Sequence, residues 1–540
     1  MVSNKRIVWI TLLLLITSYF SISNFILPVP DSQSSSGFSA KRVSDDIKII
    51  SKEPHSSEHP AERERVRSFL AERLREIGFD VEVEYYDSIG NIYASLPPLY
   101  SVSGEEPTYV LLMAHLDSRH ANIINGKTHY SKGAADDGYG LGVILELAKG
   151  VVKYRDDWSQ GVKILFTDAE ETNLGGIKMA VAKRGVFLSD VGFIINIEAR
   201  GVKGPALLFE TSPGNSKLIN LYSKARFPAG YSLTSFVYNI LPNYSDFSLI
   251  KEEYSGINIA VIDNLDYYHT EKDSFENISL SSIQHYGEQL TPILKSYLKE
   301  NRYSDINYLR SSADSVYFTL PLFGIVVFSA IGYNTLNVIV LLCFVFNFIY
   351  LLKTNKIGIF NVLKTIIKLL IVLFFVVAFS WTGSWLIALI NGASYKLIGL
   401  AHLRFDEVFS IICLILTFLL IIMTFKKIIK DNIYRLKEYI ISSELILLVS
   451  SIIIFSITGE NFFLLFPLIF SLISRALKGY KFELVTTVFL VVLLLFIVIP
   501  FIYSLYIALY TGSIFIPLAI FTLLLFSILP ALYSVSTKLA

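Results

Sequence analysis

The chain has 540 residues, a formal net charge of +1 and a hydrophobic fraction of 53%. The length exceeds one ordinary domain, the apolar fraction exceeds that of a wholly soluble protein, and the near-neutral charge gives no reason to expect a nucleic-acid or strongly acidic partner. Both cysteines, Cys343 and Cys413, fall in apolar runs, so the mixed-texture half of the chain has neither a disulfide nor a thiolate metal ligand. Each reads as a small buried hydrophobe.

At the amino end, Lys5 and Arg6 precede an apolar stretch from Ile7 to Leu27, near the ~20 residues needed to cross a bilayer. No small-residue cleavage site follows, so residues 1–27 read as an uncleaved anchor with its basic flank in the cytoplasm and the chain beyond it exported. Residues 28–40, with DSQSSSG, read as a tether. Residues 41–312 have globular texture. AERERVRSFLAERLREIG has helical spacing with Gly78 as its stop, and VEVEYYD and NIYASLP read as strands.

Three apolar runs then stop at metal-ligand residue types: TYVLLMAHLD at His115 and Asp117, VKILFTDAEE at Glu170 and Glu171, and VGFIINIEAR at Glu198. GYGLGVILELAKGVV and GNSKLINLYSKA read as helices, GINIAVIDN as a strand, and SLSSIQHYGEQLTPILKSYLKE as a closing amphipathic helix. This alternation predicts an α/β fold with a mostly parallel sheet flanked by helices and a site at the carboxyl ends of its strands.

Residues 313–540 predict a polytopic α-helical transmembrane domain. Apolar stretches fall at 316–333, 335–352, 360–381, 407–425, 439–457, 461–474, 482–505 and 513–534, with a weaker ninth at 384–402. The basic loops KKIIKDNIYRLKE and SRALKGYK are expected to face the cytoplasm, and threading both onto one side favours counting the ninth stretch as a span. Lys364, Lys368 and Lys396 read as snorkelling side chains in preference to the lining of a cavity.

A hydrolase with two zinc ions needs nitrogen and oxygen ligands from several strand ends, a carboxylate shared between the metals and another left free as general base. His115 and Asp117, two apart on an extended backbone, point to one side, which suits a ligand and its orienting partner. In GAADDGYG, a helix N-cap accounts for one of Asp136 and Asp137 and leaves the other for metal. Adjacent Glu170 and Glu171 face differently, so one can bind metal while the other faces the substrate water. The rival is a solvated surface pair, which the apolar KILFTDA run disfavours. His269, in DYYHTEKDS, draws its weight from the rest of the set. Arg200 and Lys203, beside Glu198, offer a seat for a substrate carboxylate, ranked behind a solvated or salt-bridged role. Asn243 in NYS and Asn277 in NIS are glycosylation sequons, each as readily a chance match.

The ordered set HLD, GAADDG, DAEE, NIEARG and YYHTEKDS resembles the M28 family of zinc aminopeptidases and carboxypeptidases. Longer strings, NIEARGVKGPALLFETSPGN and PNYSDFSLIKEEYSGINIAVIDNLDYYHT, are similar to its membrane-bound branch, which includes endoplasmic reticulum and fungal vacuolar membrane metallopeptidases. The resemblance covers roughly residues 40 to 300. It implies two Zn2+ ions per chain, with His115 and Glu198 paired at one, Glu171 and His269 at the other, and Asp136 bridging. It also implies Glu170 as general base, Asp117 as orienting carboxylate and Tyr268 as a group that helps polarise the substrate carbonyl. Many members carry Asp at the place of Glu198 and Ser at that of Tyr139. The expected protein is a multi-pass, membrane-anchored exopeptidase, an aminopeptidase by preference, acting on peptides on the extracellular or luminal side, with the lipid bilayer as its other partner. Two other classes compete with it: a transporter or channel regulated by an inactive peptidase-like ectodomain, and a binding-only ectodomain.

Overall fold

The computed structural model describes residues 4–23, 27–30, 37–100, 106–124, 126–241, 244–321, 323–354, 356–400, 403–430, 432–480 and 482–538. The Asn243 sequon lies outside the described residues. The chain divides into two compact units, Phe25–Ala330 on the one hand and Met1–Asn24 with Ile331–Ala540 on the other.

In the first unit, the sheet is built from β1 (Asp80–Tyr86), β2 (Ile89–Leu96) and β3 (Tyr109–His115), and then, after a small hairpin of β4 (Asn122–Ile124) and β5 (Lys127–His129), from β6 (Gly161–Thr167), β7 (Val191–Ala199), β8 (Lys203–Thr211) and β9 (Gly256–Asp263). Its order is β1-β2-β6-β3-β7-β9-β8. The central strands β6, β3, β7 and β9 are parallel, whereas β1, β2 and β8 join antiparallel at the edges. The sheet is therefore mixed, with the expected parallel pattern confined to its centre. The strand β8, KGPALLFET, carries few charges and follows β7 after a three-residue bend, so nothing in its pattern separates it from the run before it.

The central strands are continuous apolar runs because both faces are covered. Val110, Leu112 and Ala114 of β3 join the larger core with Ile195 and Ile257, under the helices Gly138–Val152 and Leu280–Lys299. Leu111 and Met113 point the other way and pack with Leu165, Ile194 and Phe247. The expected helix with Gly78 as its stop spans Pro60–Ile77, and Gly78, at φ 108°, takes the left-handed cap that a side chain would resist.

The stretch 316–333, expected to span a membrane, instead forms a hairpin in this unit, β10 (Ser315–Leu320) with β11 (Gly324–Ser329), in register from Ser315↔Ser329 to Leu320↔Gly324. Its β-branched and aromatic residues flank a turn containing Pro321 and Gly324, the composition of strands and not of a helix.

Among its described residues the second unit holds six helices long and apolar enough to cross a membrane: Ala330–Lys353, Ile359–Ile390, Asp406–Ile429, Ile433–Thr458, Glu483–Leu509 and Phe515–Ser534. The helix Phe462–Ala476 is shorter, as is the apolar part Leu12–Ile22 of the amino-terminal helix Asn4–Ser23. That amino-terminal helix packs against Glu483–Leu509. The ninth expected span is also corrected, because 384–390 continues the 32-residue helix Ile359–Ile390, which ends at Asn391 and Gly392. The polar string SWTGS does not break it: Ser380, Thr382 and Ser384 return their hydroxyls to carbonyls four residues back. Lys364, Lys368 and Lys396 are exposed. Cys413 is buried as expected, whereas Cys343 is exposed on its apolar helix.

Candidate metal centre

Parallel strands bring four chain segments to one edge of the sheet. His115 is the last residue of β3, Asp168 to Glu171 follow β6, Glu198 lies one residue before the end of β7, and His269 lies in the loop after β9. Asp136 arrives from the turn before the helix Gly138–Val152. Residues that are far apart in sequence thus meet because their strands run the same way.

The Asp136 carboxylate sits between two imidazoles, with Oδ1 3.1 Å from His115 Nε2 and Oδ2 3.2 Å from His269 Nε2. Glu198 Oε2 is 3.8 Å from His115 Nε2, and Glu171 Oε1 is 3.0 Å from His269 Nε2. Two sets result, His115 with Glu198 and His269 with Glu171, and Asp136 lies between them.

Asp137 also offers an oxygen to the His115 and Glu198 set, but both of its oxygens are engaged. Oδ1 accepts the Gly140 N–H at 3.0 Å and caps the helix, and Oδ2 accepts the His115 N–H at 3.3 Å. A β-carbon on Gly140 would come within 2.3 Å of Asp137 Oδ2, so the cap requires glycine there. One aspartate therefore serves the backbone and its neighbour faces the imidazoles.

The His115 ring is oriented chiefly by the backbone, since Nδ1 lies 2.9 Å from the Asp117 carbonyl and 3.6 Å from its carboxylate. Asp117 Oδ1 accepts the Glu170 N–H at 3.0 Å and so ties the loop after β3 to the loop after β6. Tyr268 stacks on His269 with ring centroids 3.6 Å apart. Tyr139 forms no pocket wall: it is wholly buried, and its hydroxyl donates to Val202 O and accepts from Ser279 N, each at 2.7 Å. Asn277 is exposed, its amide nitrogen donating to Lys272 O at 2.8 Å.

The electrostatics of this edge call for a cation. Burial opposes a charged imidazole, yet the surrounding carboxylates prevail: Asp117 and Asp136 raise His115 well above its usual range, and Glu171 and Asp136 raise His269 to about 9. Burial pushes Glu198 up to about 8 against the pull of His115. Burial also raises Glu170 far above the ordinary carboxylate range, with Glu198 and Glu171 adding to it. For Glu171, burial is overcome by His269, which holds the carboxyl low. Asp136 Oδ2, Glu171 Oε1 and His269 Nε2 are buried and, among the described residues, have no hydrogen-bond partner. They converge without an aligned N–H, as donor atoms around a metal do. Imidazole and carboxylate are the donor set of zinc, so these residues fit such an ion.

Residues 91–294 match the model of Peptidase family M28. This chain carries a peptidase family M28 domain. Endoplasmic reticulum metallopeptidase 1 of Mus musculus is 32% identical over 216 residues, 39% of this chain and 22% of that protein. The vacuolar membrane protease of Candida dubliniensis is 26% identical over 260 residues, 44% of this chain and 26% of that protein. The match thus spans about a quarter of the length of each relative. Among solved structures, Porphyromonas gingivalis glutaminyl cyclase superposes with a TM-score of 0.39 at 20% identity, covering 49% of this chain and 100% of that chain.

The M28 domain holds its loops with residues that the strand-end pattern does not reveal. Asp273 is buried, and its carboxylate accepts from Ala135 N at 2.7 Å and Ser131 Oγ at 2.8 Å, clamping the His269 loop to the Asp136 turn. Asp168 receives Arg63 at 3.2 Å, Arg67 at 2.6 Å and the Gly90 N–H at 2.8 Å, which fixes the loop that carries Glu170 and Glu171. Asp246, buried, accepts from Thr167 at the end of β6. The signal for Asp168 was present in DAEE, where an aspartate precedes the two glutamates. Asp273 carried none, because its partner turn lies far away in sequence.

Proposed function

We propose that this protein is a membrane-anchored zinc exopeptidase, an aminopeptidase by preference, with two metal positions that share Asp136. His115 and Glu198 hold one ion, and Glu171 and His269 hold the other. The observation that carries the reading is the Asp136 carboxylate with one oxygen turned to each imidazole. The metallopeptidase and protease names of the relatives agree with it.

When bound, zinc supplies Lewis acidity toward a carbonyl oxygen and lowers the pKa of water. The chain does the rest. Glu170 stands outside both ligand sets, its backbone is pinned by Asp117, and burial gives its carboxyl a raised proton affinity. It takes the proton of the attacking water and passes it to the leaving amine nitrogen. Tyr268, held flat on His269, presents its hydroxyl to the substrate carbonyl.

The M28 domain is assigned to the extracellular or luminal side. Basic residues gather at alternate ends of the helix series, namely Lys353 and Lys356, Lys426 to Lys437, and Arg475 and Lys478, so one threading that counts Phe462–Ala476 and the amino-terminal helix as crossings puts all of them in the cytoplasm together with Lys5 and Arg6. Dropping both 316–333 and 384–402 as spans leaves the parity unchanged.

The test uses the full chain, purified in detergent. Peptide hydrolysis is expected to be abolished by a chelator, restored by zinc, and lowered roughly 10²- to 10⁴-fold in kcat by Glu170→Gln with zinc content unchanged. Full turnover by the chelated protein would refute the metal reading, and full turnover by the variant would refute the role of Glu170.

A further inference from the structure

Arg200 follows the last residue of β7, and its N–H still donates to Val261 O at 2.9 Å, so the backbone stays in strand register. Two positions from Glu198, it leaves the sheet edge on the side that faces His115. Arg42, Arg63, Arg67, Arg119 and Arg184 of the same unit each hold a carboxylate. Arg200 holds none: among the described residues its guanidinium has neither an ion pair nor a hydrogen bond, and its Nε is buried and unsatisfied. Of the roles read from sequence, the salt bridge is absent among the described residues.

The phenols of Tyr268 and Tyr238 lie within reach of its charge. The Tyr268 hydroxyl is itself in the field of Asp136, Glu171 and Glu170. Arg200 thus stands at the strand end that carries Glu198, and its charge reaches the phenol assigned to the substrate carbonyl. A half-buried guanidinium with no counter-charge keeps its donors free for a ligand, and its planar fork matches a carboxylate, which it can hold through two parallel hydrogen bonds. It would repel the amino terminus of a peptide. A carboxylate close to the scissile bond occurs when the residue after that bond ends the chain, where it lies two bonds beyond the amide nitrogen.

We propose that Arg200 receives the free α-carboxylate of the residue on the leaving side of the scissile bond, which makes dipeptides the preferred substrates. This rests on the peptidase reading and narrows it. Longer chains and amidated peptides place a neutral group against the guanidinium and leave its charge unpaired.

The experiment compares Ala-Ala with its carboxyl-terminal amide on the zinc-loaded full chain. The wild type is expected to favour the acid by about 100-fold in kcat/KM, the scale of a bidentate charge-assisted pair. In Arg200→Met the acid-over-amide ratio collapses toward one through KM for the acid, with zinc content unchanged. Arg200→Lys keeps the charge without the fork and retains part of the preference, which separates recognition from folding. Equal cleavage of acid and amide by the wild type, or an equal loss on both in Arg200→Met, would overturn the proposal and leave the peptidase reading standing. Cleavage of neither by the wild type would defeat both.

Discussion

His285 shows how a buried side chain ties the stability of the M28 domain to pH. It is 2% exposed, and its Nδ1 accepts from Ala206 N at 3.1 Å and lies 2.8 Å from Gln289 Nε2, so the ring must stay neutral. Burial lowers its pKa to about 3, whereas an unfolded histidine titrates near ~6.5. Below that value the unfolded chain takes up a proton that the folded ring refuses, so stability is complete above about pH 6.5 and falls toward pH 3. Between pH 6.5 and 5, Tm of the wild type is expected to drop more steeply than that of His285→Gln; equal slopes would contradict this. Other single residues were legible in advance. His115, Glu171, Glu198 and His269 were singled out from strand ends and from likeness to known motifs, and all four lie at one edge. Which of Asp136 and Asp137 would face the imidazoles was left open by spacing, because capping depends on where the Gly140 N–H falls.

At the scale of elements, the parallel strands were readable because burial on both faces makes them unbroken apolar runs, and β3, β6, β7 and β9 were all anticipated. The antiparallel β8 was not, since its residues have the same texture, and neither was the hairpin Ser315–Ser329, whose 12 ladder residues are as apolar as a membrane helix. Alternation and the Pro321 and Gly324 turn were the signals that mattered there. Loop clamps are the other element-scale feature invisible to pattern. Asp273 joins two loops that sequence keeps 137 residues apart, from Asp136 to Asp273. Asp273→Asn weakens acceptance from Ala135 N and Ser131 Oγ and frees the Asp136 turn. Zinc affinity, measured by competition with a chelator, is expected to fall about 10- to 100-fold, as when an outer partner of a metal site is lost. An unchanged affinity would show that the turn holds itself.

For the molecule as a whole, two compact units share one chain, and the reading of function requires the helices of one to cross a bilayer so that Ile123 and Lys427 lie on opposite sides of it. With Cys343 and Cys413 replaced, single cysteines at Ile123→Cys and Lys427→Cys are expected to react with a membrane-impermeant maleimide from opposite faces of sealed vesicles; labelling from one face would reverse the threading. The central claim is narrower, namely that a pair of divalent ions sits between His115, Asp136, Glu171, Glu198 and His269. Anomalous diffraction at the zinc edge from crystals of the full chain tests it most directly. Two peaks are expected, one against His115 Nε2 and one against His269 Nε2, with Asp136 in contact with both. A single peak, or peaks away from Asp136, would contradict the account.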